Sequence, residues 1–171
     1  MTTPRLAALR SELDAALAPP VSTEPIAEPE GAEYAAHRWS SGELRVRYRE
    51  AKITPTKVGA FFTLWVRSAR GPIRPLTAED GADLVIVDCM QPLPDAPPLH
   101  GRFYFPAGEL LRRGVLSAPG REGKRALRVY PAWVTVPSAQ AAATQRWQAP
   151  YFAPAGSPDS ARLLRAAAGR A

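Results

Sequence analysis

The chain has 171 residues, a formal net charge of +6, a pI near 10.0, one cysteine and two histidines. That length suits one domain whose hydrophobic core needs no metal or disulfide staple, and Cys89, His37 and His100 are too few for an internal disulfide or a structural zinc site. No run approaches the roughly 20 apolar residues that span a bilayer, and the opening MTTPRLAALRSELDAAL carries acids through its apolar phase, unlike a signal peptide. A soluble cytoplasmic protein with no membrane partner is expected.

Thr3 stands where a helix cap is needed, Pro4 takes the first helical position, and Leu6, Leu9, Leu13 and Leu17 follow at helical spacing. Pro19 and Pro20 are placed to stop that helix. The segment PPVSTEPIAEPEG reads as an acidic, proline-rich linker. Residues 1–33 are therefore expected to be a helix and linker, and residues 34–171 the compact domain. A short strand over 36–40 leads into the turn SSG, after which Leu44, Val46 and Tyr48 alternate with Arg45, Arg47 and Arg49, the period of a half-buried strand. After a turn at TPT, GAFFTLWVRS predicts a second strand and DLVIVDCM a third, whose continuous apolar run suits a central position covered on both faces. GRFYFP is a fourth strand, with Pro106 opening a short helix, and RALRVYP is a fifth. Helices are predicted over 139–147 and 160–168. Neighbouring strands followed by helices imply an α/β domain with a central mixed sheet of about five strands flanked by helices.

Charge is unevenly spread. Between Gly42 and Pro75 stand Arg45, Arg47, Arg49, Lys52, Lys57, Arg67, Arg70 and Arg74 against Glu43 and Glu50, whereas from Ser11 to Glu33 all the charged residues are acids. The alternating arginines admit two readings. One is a charged solvent face that keeps a strand from pairing with other chains. The other is a surface for an anion, because guanidinium groups on every second residue repeat about 6.6 to 7 Å apart, close to the phosphate spacing of a nucleic-acid backbone, and hold phosphate in bidentate fashion. Extending the same parity puts Glu50 and Lys52 on the side that buries Leu44, Val46 and Tyr48, where charges need partners. Either they reach solvent at the strand end, or they form a Glu-x-Lys pair in which the carboxylate helps to hold Mg²⁺ and the lysine stabilises charge at a phosphorus. Such a site needs a second carboxylate, for which Asp83 and Asp88 are the candidates. No P-loop, nucleophile elbow or histidine pair at metal-ligand spacing is present.

Further on, GKRALRVYPAW brings Lys124, Arg125 and Arg128 beside Tyr130 and Trp133, and TQRWQ puts Gln145 and Gln148 on one helical face. The blocks REAKITPTKVGAFFTLWVR, GPIRPLTAED, GRFYFP, GKRALRVYPAW and QAAATQRWQAPYF, in that order and spacing, resemble the MepB family of small bacterial proteins over roughly residues 34–152. The resemblance implies a fold similar to the restriction-endonuclease-like group. In that group an aspartate precedes Glu-x-Lys, whereas here Glu50 and Lys52 precede both aspartates, which argues against a working nuclease site. The residues matching the family blocks are Arg49, Lys52, Thr54, Lys57, Lys124, Arg128, Tyr130, Thr144, Gln145 and Gln148. They are mostly cations and amides, a composition suited to holding phosphate or carboxylate.

The expected function is binding of an anionic ligand, nucleic acid ahead of a small phosphorylated molecule, by Arg45, Arg47, Arg49, Lys52, Thr54, Lys57, Lys124, Arg128, Tyr130, Gln145 and Gln148. The alternatives are a Mg²⁺-dependent phosphodiesterase built on Glu50, Lys52 and Asp83 or Asp88, and a non-catalytic interaction module in which the acidic leader folds over the basic face. No cofactor is expected outside the Mg²⁺ reading.

Overall fold

The computed structural model describes residues 2–17, 22–67 and 71–169. Helix α1 (Pro4–Ala16) begins where the Thr3 hydroxyl accepts from the Leu6 amide at 3.2 Å, which satisfies one of the amides a helix start leaves open. Pro19 and Pro20, read as its stop, and Arg70 of the basic run lie outside the described residues. The chain continues through β1 (Ile26–Ala27), a 3₁₀ turn at Pro29–Tyr34, β2 (His37–Ser41) and β3 (Leu44–Glu50). Next come β4 (Lys52–Thr54), β5 (Lys57–Thr63), β6 (Trp65–Arg67) and β7 (Ile73–Pro75). The long strands β8 (Leu84–Gln91) and β9 (Leu99–Pro106) precede α2 (Ala107–Arg112), β10 (Ala126–Val129), α3 (Ala139–Gln148), β11 (Phe152–Pro154) and α4 (Pro158–Ala167).

The main sheet has the order β1-β2-β3-β8-β9-β11, with β3 and β8 parallel and the other pairs antiparallel. Its β8 is the doubly covered strand that the apolar run predicts. Leu84 and Ile86 face α1 and α4, joining Leu6, Leu9, Leu13, Val46, Tyr48, Tyr104, Leu163 and Leu164. Val85 and Val87 face the other way, onto Phe62, Leu64, Phe103, Phe105, Leu110, Leu127 and Val129. That second layer is carried by a smaller sheet of order β10-β5-β4. A mixed α/β domain with a central sheet flanked by helices is thus what forms, with six strands in the main sheet instead of about five.

Two expectations change. The leader is not a separate linker in its described part: Ile26 and Ala27 pair with Arg38 and His37, and Leu6, Leu9 and Leu13 have no exposed surface. Packing therefore runs across the expected boundary at residues 33 and 34, because the apolar face of the main sheet needs α1 as its cover. The strand through Glu50 also ends sooner than its parity implies. Ala51 breaks the ladder, and Lys52 begins β4 in the smaller sheet, opposite Phe61. Among the described residues no helix is long and apolar enough to cross a membrane.

Candidate anion-binding cleft

The arginines of β3 do not form a free ladder. β3 is internal to the main sheet, between β2 and β8, and its face opposite Val46 and Tyr48 is covered: Arg49 lies against Gly31 of the 3₁₀ turn and Thr63 of β5, Arg47 lies against Glu28 and Asp80, and the two are 1% and 5% exposed. Both donate to Glu28, which is 9% exposed: Arg47 Nη1 to Oε1, and Arg49 Nη1 to Oε2 at 2.7 Å. Arg49 also donates to the carbonyls of Thr63 and Tyr48 at 3.1 and 2.8 Å, and Arg47 to that of Asp80. Burial, aided for Arg47 by its neighbour Arg49, lowers each to about 10, so both stay charged at neutral pH and need the carboxylate. Arg45 is exposed but engaged in a two-pronged pair with Asp83, Nε at 2.8 Å and Nη2 at 2.7 Å. The assignment of Arg47 and Arg49 to a solvent face is corrected accordingly, while Arg45 keeps it: charges buried under a second layer must be neutralised internally. The acid that does so, Glu28, comes from the leader.

The Glu-x-Lys grouping also separates. Glu50 and Asp88 are opposite each other in the β3–β8 register, but Arg5 of α1 bridges them, donating from Nη2 to Glu50 and from Nη1 to Asp88 at 2.9 Å. Glu50 accepts in addition from Thr3 at 2.5 Å and Tyr48 at 3.1 Å. Asp88 is fully buried and also receives Arg102 Nε and His100 Nε2, both at 2.8 Å. Burial pushes its carboxyl up, but the hydrogen bonds and charges of His100 and Arg102 outweigh that and hold it below the ordinary aspartate value. Lys52 has turned away and lies over the Tyr34 ring at 5.3 Å. Asp83 stands five residues from Asp88, roughly 16 Å along the strand, with its carboxyl held down by the Arg45 hydrogen bond and charge. Among the described residues no three His, Cys, Asp or Glu side chains are grouped to hold a metal ion. These residues do not fit Mg²⁺, because a guanidinium already neutralises the carboxylate pair and the lysine points elsewhere. Cys89 is buried among apolar groups, and burial and then Asp88 raise its thiol pKa, so it has no thiolate to offer.

Four of the remaining predicted residues, Lys57, Lys124, Arg128 and Tyr130, meet at one cleft. This cleft of ≈ 510 Å³ opens between β10, the turn joining β4 to β5, and the start of α3; Lys57, Lys124, Arg128, Tyr130, Ser138 and Thr144 contribute to its polar lining, and among the described residues no carboxylate lines it. Arg128 alternates with buried Leu127 and Val129, which sets it on the outer face of β10. Its Nη1 lies 3.1 Å from Thr54 Oγ1 and 3.3 Å from the carbonyls of Lys57, Val58 and Gly59, so it gathers the turn around itself. The Arg128 guanidinium also stands over the Phe61 ring at 5.5 Å. Among the described residues its Nε and Nη2 make no protein hydrogen bond, which leaves donors for a ligand. Lys57 and Lys124 are exposed.

Gln145 and Gln148 serve the cleft from behind. Gln148, fully buried, accepts from the Tyr130 amide at 2.9 Å and donates to the Arg128 carbonyl at 3.0 Å, continuing the β10 ladder with a side chain. Gln145 donates to the carbonyls of Pro131 and Val134 at 3.2 and 2.8 Å. Both are positioning residues, and the helical spacing that suggested a binding face is used to hold the chain after β10. Gly59, at φ +84°, lets the Tyr130 ring lie against β5: a Cβ there would come within 2.7 Å of the ring. Thr56, Ser138 and Gln140 line the cleft too and were not singled out in the sequence. Ser138 alone carried a signal, as a capping residue before a helix, and it accepts from the Ala141 amide at 3.2 Å.

Fold and cleft together define a mixed α/β protein with a basic cleft beside its second sheet. The MepB-like family model matches residues 28–154, and the chain belongs to that family. A crystal structure of MepB is similar over 85% of this chain and 95% of that one, at 30% identity and a TM-score of 0.72. Comparison with curated proteins finds no match.

Proposed function

We propose that this protein binds a phosphate-bearing ligand in the cleft of Lys57, Lys124 and Arg128, the backbone of a nucleic acid ahead of a small phosphorylated molecule. The observation that carries this reading is that three cations and several hydroxyls line one cleft without any acid among the described residues, whereas every arginine of β3 is spent on a carboxylate. A phosphate entering the cleft replaces water around exposed ammonium groups and a guanidinium already held by the turn, so little ordering is needed on binding. Arg45, Arg47 and Arg49 leave the proposed surface, and Lys52, over Tyr34, stands outside this cleft's lining.

The test is fluorescence anisotropy of a labelled single-stranded oligonucleotide at several salt concentrations. Affinity is expected to fall steeply with salt, and Lys57→Ala and Lys124→Ala each to reduce the slope of log affinity against log salt by about 0.7, the value per phosphate contact on a single strand. Both lysines are exposed, so these variants leave the core untouched. An unchanged slope in the double variant would sink the assignment to this cleft.

A further inference from the structure

A second cleft of ≈ 400 Å³ is built on the same turn and is the more apolar of the two. It is lined by Ile53, Val58, Ala60, Met90, Trp133 and Val134 among others, and it shares Thr56, Lys57 and Val58 with the basic cleft. Ile53 of β4 and Val58 of β5 flank the turn and are 52% and 42% exposed, so two apolar side chains face outward while Ala60 and Phe62 supply the core. Polar groups stand at its edge: the Gln91 amide and the hydroxyls of Thr56 and Thr135 line it and make no side-chain hydrogen bond among the described residues. Trp133 presents an indole that is only half-buried, anchored by edge contact with Phe152 at 5.3 Å.

We propose that this apolar cleft is a nucleobase subsite, so that the two clefts together hold one nucleotide, its ring in this cleft and its phosphate in the basic one. The inference rests on the phosphate reading of the basic cleft and adds its ring-binding half. Three features select this occupant. The clefts share Thr56, Lys57 and Val58 as a common wall, so a ligand seated in one has its next group close to the rim of the other. An apolar cleft beside cations suits a molecule that joins a flat ring to an anion, while a purely apolar ligand would leave Lys57 unanswered. Amide and hydroxyl groups at the rim can meet the polar edge of a base, whose faces need only apolar or aromatic walls. The nucleotide can be free or one unpaired unit of a strand.

The test compares a short oligonucleotide, a sugar-phosphate oligomer of equal length lacking bases, and free nucleoside monophosphates, each titrated into wild type, Ile53→Ser and Trp133→Phe. The serine substitution falls on an exposed wall that the basic cleft does not share, which guards against loss of folding; Trp133→Phe keeps a ring against Phe152. Wild type is expected to bind the base-containing oligomer at least about fivefold more tightly than the abasic one, as stacking of one base implies. Ile53→Ser should reduce that ratio while keeping the salt slope, and quenching of tryptophan fluorescence on binding should weaken in Trp133→Phe. Monophosphates binding as tightly as the oligomer would support the paired clefts and make the free nucleotide the source. Equal affinity for the abasic and base-containing oligomers overturns the base subsite and leaves the phosphate reading standing; no binding of any of the three overturns both.

Discussion

Glu28 shows how much of this protein's charge is internal. One carboxylate answers Arg47 and Arg49, each almost without exposed surface, so removing it leaves two buried guanidinium groups short of a counter-charge. Glu28→Gln is expected to cost about 3–5 kcal/mol, the range for breaking one side of a buried ion pair, read as a lower urea midpoint at unchanged slope. A loss under about 1 kcal/mol would mean that water reaches the arginines and that the pair matters little. The alternation of Arg45, Arg47 and Arg49 was visible in the sequence, but their partner was not: Glu28 is separated from Arg47 by 19 positions and from Arg49 by 21, across a stretch whose composition reads as linker. Gly59 is a different kind of residue-level constraint. Gly59→Ala asks a Cβ to adopt φ +84° and to stand 2.7 Å from both the Tyr130 ring and the Val129 carbonyl. The backbone conformation alone costs of order 1–3 kcal/mol, and displacement of Tyr130 should weaken oligonucleotide binding as well as lower the melting temperature. Retained affinity in a folded Gly59→Ala protein would show that the Tyr130 wall does not shape the cleft.

At the scale of elements, the strands and helices with strong periodicity were legible and the short ones were not. α1, β3, β8 and β9 follow their apolar spacing. By contrast β1, β4, β6, β7 and β11 are only two or three residues long, too short for a period to show, and exist because a neighbouring strand supplies the ladder. The same limit explains the site residues that parted. Period-two reasoning carries a side chain's direction only while the strand lasts, and the change of sheet at Ala51 sends Glu50 toward Arg5 and Lys52 toward Tyr34. The cluster at Lys57, Lys124, Arg128 and Tyr130 survived because β5 and β10 pair from Ala60 opposite Val129 to Thr63 opposite Ala126, which sets the two family blocks side by side. α1 lies before the matched residues 28–154, yet its leucines complete one face of the main sheet. Leu9→Ala should therefore destabilise the whole domain by about 2–5 kcal/mol, with calorimetry showing one transition at lower temperature. A separate early transition, with the main one unmoved, would mean that α1 folds as an appendage.

For the whole molecule, the net charge of +6 conceals a fold that depends on its acids. Asp80 is held at about 2, first by the Arg74 hydrogen bond and then by the Thr77 amide, against the opposing effect of burial. Asp83 is lowered by Arg45. Asp88 and Glu109 are lowered because hydrogen bonds and charges from His100 and Arg102, and from Arg112 and Arg113, exceed the cost of burying them. In each case the folded value lies below the unfolded one of about 4, so the ionised form stabilises the fold fully above about pH 5 and that stabilisation is lost as pH falls through the folded value. These four groups make no demand between neutrality and about pH 5, and the urea midpoint should drop below about pH 4 as they take up protons. Asp80→Asn isolates one of them. Its deficit against wild type should be full at neutral pH, shrink below about pH 4 and vanish near pH 2, where wild-type Asp80 is itself losing its charge. A deficit that persists undiminished at the acid end would assign Asp80's contribution to the shape of the Thr77 turn, whose amide it accepts from at 2.8 Å, and not to its pairing with Arg74.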